Sequence, residues 1–187
     1  MKVTMVAVSS LNGKITKGQE SHIYSWTSKE DSRLFFSLIE KNNLIVMGSK
    51  TYESVRKIIK HRKNKLRVVL TRNPEKYFKE TIKEILEFTS ESPLKLSKRL
   101  EKRGYKKMLL VGGSEINTLF LKSKLVDEIY LTIEPKIFGQ GQGLFEEEGL
   151  NVSLKLKNIK KLNPQGTLLL KYKVLYIGLR LLSFVNN

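Results

Sequence analysis

Short apolar runs rich in β-branched residues recur along the chain, at 3–8 (VTMVAV), 44–47 (LIVM), 66–71 (LRVVLT), 84–88 (EILEF), 108–112 (MLLVG) and 127–133 (DEIYLTI). Each has the length and composition of a strand. Between them lie stretches of helical period. Residues 28–42 place Leu34, Phe35, Leu38 and Ile39 on one face, 92–104 open with Ser-Pro and close at Gly104, and 114–123 follow a pair of glycines. Strands that alternate with helices need crossover connections, so the predicted fold is α/β. It is a single domain over residues 1–177 with a mixed, mainly parallel sheet, helices on both faces and ligands at the carboxyl ends of the strands. Two alternating segments, 152–162 and 166–177, joined through Asn-Pro-Gln-Gly, predict an antiparallel hairpin at one edge. Residues 178–187 are a tail with no place in this scheme.

Composition narrows the function classes. With 187 residues, 40% of them hydrophobic, the chain can bury a core without staples. It has no cysteine, which removes disulfides and thiolate metal sites, and two histidines, His22 and His61, do not build a metal site by themselves. No metal is expected. The opening residues read as a first strand, too short and broken for a signal peptide, and Lys171, Lys173 and Arg180 interrupt the apolar end, so no membrane partner and a cytoplasmic location are expected. Thirty-five Lys and Arg against 18 Asp and Glu give +17, a charge that draws anions, whether nucleic acid, membrane surfaces or small molecules. The basic residues form no single patch with interleaved aromatics, so a nucleic-acid-binding module is the minor alternative.

Three strand ends could hold a small anion. At Gly48, Ser49, Lys50 and Thr51 an apolar strand breaks into helix-forming residues, and the free N–H groups of a first helical turn there favour phosphate. The blander reading is a strand-turn-helix capped by Ser49 or Thr51. At Gly112 and Gly113 two glycines allow close approach of a ligand to the backbone, with Ser114 placed to cap the next helix. Arg72, directly after a strand, is placed to fork onto a phosphate. The acidic candidate is Asp31, three residues after Ser28, where it also suits a near-capping box. Trp26, five residues before it, reads as core or as an aromatic wall over a pocket.

Taken in order, these pieces resemble the dihydrofolate reductase superfamily, which holds the dihydrofolate reductases and the pyrimidine reductases of riboflavin synthesis. The resemblance implies NADPH as cofactor. It places Ala7 and Ile15 beside the nicotinamide, Gly48 to Thr51 at the pyrophosphate, Thr71 and Arg72 at the adenosine 2′-phosphate, and Gly112 and Gly113, followed by Ser114, Glu115 and Ile116, beneath the cofactor. Trp26, Asp31 and Phe35 match the Trp-x4-Asp-x3-Phe spacing of folate reductases, and Thr132 matches the threonine that hydrogen-bonds the active-site acid. Trp26, Asp31 and Thr132 are then the catalytic group; Val6, Asp31, Phe35 and Thr132 line the substrate site, with Lys65 or Arg67 at its anionic tail.

Between the branches, Asp31, Thr132 and MGSKTYESV resemble folate reductases, whereas residues 125–145 and SLNGK at 10–14 resemble the pyrimidine reductases, with Asn12 where their loop usually has Asp. The preferred expectation is reduction of dihydrofolate to tetrahydrofolate. The alternative is 5-amino-6-(5-phosphoribosylamino)uracil reductase, whose substrate is a ribosylaminopyrimidine phosphate. Either a monomer or a homodimer fits the resemblance.

Overall fold

Seven strands run in one direction and β8 alone runs against them in one eight-stranded sheet, ordered β4-β3-β2-β5-β1-β6-β8-β7, so the pairings of β8 are the antiparallel ones. The computed structural model describes residues 1–20, 23–146 and 149–176. The strands are β1 (Lys2–Ser10), β2 (Leu44–Gly48), β3 (Leu66–Leu70), β4 (Leu86–Thr89), β5 (Lys107–Leu110), β6 (Glu128–Glu134), β7 (Ser153–Lys161) and β8 (Leu168–Leu175). The helices are α1 (Lys29–Lys41), α2 (Ser49–Val55), α3 (Pro93–Lys102) and α4 (Ser114–Lys122), with short 3-10 turns at Ile23–Ser25 and Pro74–Glu80.

Every run read as a strand is one, within two residues at its ends, and the three predicted helices fall where their periodicity places them. The 3-10 turn at Pro74–Glu80 has no hydrophobic period and was not anticipated. Leu96 and Leu100 of α3 and Ile116, Phe120 and Leu121 of α4 pack on one face of the sheet with Met5, Val46, Val68 and Leu110. On the other face Tyr52 of α2 and Phe35, Leu38 and Ile39 of α1 pack with Val6, Ile45, Met47, Val69 and Leu109. Strands covered on both sides are apolar throughout, which is why β2 and β3 read as unbroken runs.

The C-terminal hairpin is present, but its second strand is the inner one: β8 pairs with β6, and β7 forms the edge with all nine residues exposed. The expected tail, 178–187, lies outside the described residues, as does His22. Among the described residues no helix is long and apolar enough to cross a membrane.

β1 lies between β5 and β6, so the strand order reverses beside it, and a cleft opens along the carboxyl ends of β1, β2, β3 and β5. A crevice at such a reversal is where sheets of this kind bind ligands.

Candidate active site

The cleft has a volume of about 1730 Å³, room for a dinucleotide together with a second small molecule. One end is built by two strand-to-helix junctions. The Gly48 amide donates to the Gly112 carbonyl at 2.7 Å, fastening the end of β2 to the turn after β5. A Cβ added at Gly48 would lie 2.8 Å from Ile116 Cγ1, and one at Gly113 would lie 3.3 Å from Thr51 Oγ1. Gly112 has φ +88°, a conformation L side chains avoid.

The helix starts differ in a telling way. Ser28 caps α1 and Ser92 caps α3 through their hydroxyls, so those first turns are satisfied by the protein itself. At α2 and α4 the N-cap residues are Gly48 and Gly113, with no side-chain cap among the described residues. The expected caps from Ser49, Thr51 and Ser114 are therefore corrected: a glycine takes the cap position at each junction, and these residues stand inside the first turn. Both uncapped starts belong to the cleft wall, where their free N–H groups suit an anion. Asn117 of α4 adds a buried acceptor to the same wall, since its Oδ1 lacks a partner among the described residues and suits a donor on a ligand. Lys50, Thr71 and Arg72 line the same end. Arg72 is tied to Glu115 in an ion pair across the cleft mouth, largely exposed to water. The residues present thus fit a phosphorylated dinucleotide.

Asp31 lines the middle of the cleft on the first turn of α1 and is 7% exposed. Its amide donates to Ser28 Oγ at 3.2 Å, the capping geometry expected from spacing. Its carboxylate accepts a hydrogen bond from the buried Thr132 of β6. Burial, with a smaller contribution from the nearby Glu134 carboxyl group, raises its pKa to about 6 against the lowering effect of Thr132. Val6, Ala7, Ile15 and Phe35 line the surrounding wall. Thr132 does not line the cleft; it stands behind Asp31.

Trp26 is the expectation the structure moves. It is buried against Val8 and Phe138, edge-on to the Phe138 ring at 5.2 Å, and it is not among the cleft-lining residues. The aromatic wall is formed instead by Phe35, Phe36 and Tyr24, the last two stacked with centroids 6.3 Å apart. Tyr24 and Phe36 escaped the sequence reading, although Phe36 directly follows a candidate.

At the far end, Lys65 and Arg67 behave differently. The Lys65 ammonium donates to the carbonyls of Ile39, Asn42 (2.9 Å) and Glu40 (3.3 Å), closing the carboxyl end of α1. This corrects Lys65 as a substrate-tail ligand, because its donors are spent on a helix terminus. Arg67 is 6% exposed, lines the cleft, and has an Nη1 without a partner among the described residues. A buried guanidinium with an unused donor is costly unless a ligand answers it.

Residues 1–168 match the family model of the RibD C-terminal domain. The chain is 26% identical over 165 residues to the uncharacterized protein YwjB of Bacillus subtilis, covering 86% of this chain and 91% of that one. A pyrimidine reductase-like protein from Corynebacterium diphtheriae shares the fold with a TM-score of 0.77 at 19% identity, over 94% of this chain and 92% of that chain. The diaminohydroxyphosphoribosylaminopyrimidine deaminase/5-amino-6-(5-phosphoribosylamino)uracil reductase of Thermotoga maritima aligns with a TM-score of 0.71 at 18% identity, over 92% of this chain but 56% of that one. These matches favour the riboflavin-pathway branch over the folate branch that the sequence reading preferred. The chain belongs to the RibD C-terminal domain family, a reductase branch of the dihydrofolate reductase superfamily, and is an oxidoreductase.

Proposed function

We propose that this chain is an NADPH-dependent reductase of a ribosylaminopyrimidine phosphate, of the kind named for the Thermotoga relative. The observation that carries the reading is the polarity of the cleft: uncapped glycine junctions at one end and the unanswered Arg67 guanidinium at the other, with Asp31 between them. A phosphate on the substrate would give Arg67 its missing acceptor.

Bound NADPH would supply a hydride to the substrate. The chain's own residues do the rest. Gly48 to Thr51 and the backbone of Gly112 to Ile116 would hold the pyrophosphate against the two helix starts, Thr71 and Arg72 would hold the 2′-phosphate, and Ala7 and Ile15 would flank the nicotinamide. Val6, Phe35 and Phe36 exclude water from the reacting face, and Asp31, steadied by Thr132, hydrogen-bonds the amino and ring N–H edge of the pyrimidine. A second reading, reduction of dihydrofolate, is favoured by the Asp31–Thr132 pair, because a pterin presents a similar donor edge. Loss of the NADPH absorbance band with each substrate in turn tests both. Turnover of the pyrimidine alone supports the proposal; turnover of dihydrofolate alone replaces it with the second reading, and no oxidation of NADPH with either substrate overturns both.

A further inference from the structure

A second acid stands behind the cleft floor. Glu134 ends β6, two residues after Thr132 and therefore on the same face of the sheet, and it is 2% exposed. One of its oxygens accepts the Ser28 amide at 2.7 Å, and the other accepts the Thr167 hydroxyl at 2.7 Å. No salt bridge to Glu134 occurs among the described residues, so a buried carboxylate is held by two neutral donors alone. The network then closes on itself. Asn163 Nδ2 donates to Thr167 Oγ1 at 2.9 Å and to Glu30 at 3.3 Å, while its Oδ1 accepts the amides of Gly166 and Thr167. The turn between β7 and β8 is in this way stitched through Glu134 to the first turn of α1, the turn that carries Asp31.

We propose that Glu134 is a positioning residue for Asp31: it fixes the start of α1 against the terminal hairpin and so places a second buried carboxyl group beside the turn that carries Asp31. A buried acid that only stapled α1 to β8 would need no second acid nearby. Here Thr132 links the two, since its hydroxyl serves Asp31 while its strand neighbour on the same face is Glu134. Two carboxylates that share a buried floor resist simultaneous ionisation. The other charged or titratable groups facing this region are Tyr24 ahead of α1, Lys29, Glu30 and Arg33 on α1, and Lys171 of β8, whose ammonium lies 4.6 Å from the centre of the Tyr130 ring. Burial is the largest cause of the raised Asp31 pKa, and Glu134 acts in the same direction. The inference rests on the reading that Asp31 touches substrate, and its test separates the two.

The chain holds two aspartates, Asp31 and Asp127. Carboxyl-13C aspartate labelling of the full chain therefore gives two titrating signals, assigned with Asp31→Asn. The Asp31 midpoint is expected near pH 6 in the native protein. In Glu134→Gln, which keeps the shape and one acceptor, it should fall by about half a unit, since burial is the larger cause and stays in place. Thr167→Val, which takes from Glu134 one of its two side-chain hydrogen bonds and so loosens it against the floor, should move it the same way by less. If Glu134→Gln does not fold by circular dichroism, Thr167→Val carries the test. An unchanged Asp31 midpoint in whichever variant folds overturns the acid pair. The acid limb of the rate profile should follow the NMR midpoint. A midpoint that moves while the rate profile stays fixed upholds the pair but overturns Asp31 as a substrate contact.

Discussion

The Gly48 amide and the Gly112 carbonyl meet at 2.7 Å, so the two junctions that form one end of the cleft are a single unit. A methyl group at Gly48 would press on Ile116 Cγ1 at 2.8 Å. Gly48→Ala is expected to destabilise the fold by about 1–3 kcal/mol and to weaken NADPH binding at least tenfold. Urea unfolding and a fluorescence titration with NADPH check the two parts separately.

Arg72 and Glu115 hold each other in an exposed pair, so each competes with a ligand for the other. Glu115→Gln should leave stability within about 0.5 kcal/mol of native and tighten NADPH relative to NADH, because it frees the guanidinium. Arg72→Gln should narrow the preference between the cofactors. Equal weakening of both cofactors in Arg72→Gln would remove it from the 2′-phosphate.

Asp31 gives a stability signature independent of turnover. Its folded-state pKa of about 6 lies above the ordinary 3.8, so the fold favours the acid form. The resulting penalty is absent below pH 3.8, grows as pH rises and is complete above about 6. Asp31→Asn should therefore gain about 2–3 kcal/mol relative to the native protein on going from pH 4 to pH 8, while turnover at neutral pH falls by about a hundredfold or more. Urea unfolding at both pH values checks the first; equal differences at the two would show that the carboxyl is not strained.

Lys65 and Arg67 should separate cleanly. Lys65→Met removes the donor that closes α1 and should lower stability by about 1–3 kcal/mol with little change in KM. Arg67→Met should raise KM for a phosphorylated substrate tenfold or more, as expected for loss of a charge-assisted pair, with a smaller effect on kcat. Steady-state kinetics beside thermal unfolding distinguish them.

What the sequence made legible was local. Strand runs and helical faces follow from period alone, and Ser28 and Ser92 announced their caps because a serine cap is a short-range device. Ser114 misled for the same reason: the cap position belongs to Gly113, and only the close approach of β2 and β5 shows why a glycine stands there. Lys65 stands two residues before Arg67, which lines the cleft, yet its ammonium is claimed by the end of α1, which is distant in sequence. Trp26 turns toward Phe138, a partner from a loop more than a hundred residues on. Glu134 carried no signal, because its meaning depends on the pairing of β6 with β8 and on a turn that docks through Thr167. The choice of branch was also out of reach, since Asp31 and Thr132 pointed to the folate reductases while residues 125–145 and 10–14 pointed to the pyrimidine reductases.

The placement of β1 also bears on biogenesis. Lys2 pairs with Lys107 and Thr4 with Glu128, so β1 is bracketed by strands made much later than itself. Meanwhile β2, β3 and β4 can zip together as soon as they emerge. Val3, Met5, Val6 and Val8 must wait as a sticky, partnerless ribbon until β5 and β6 are synthesised, which makes the nascent chain a natural client for holdase chaperones and its folding slow for its size.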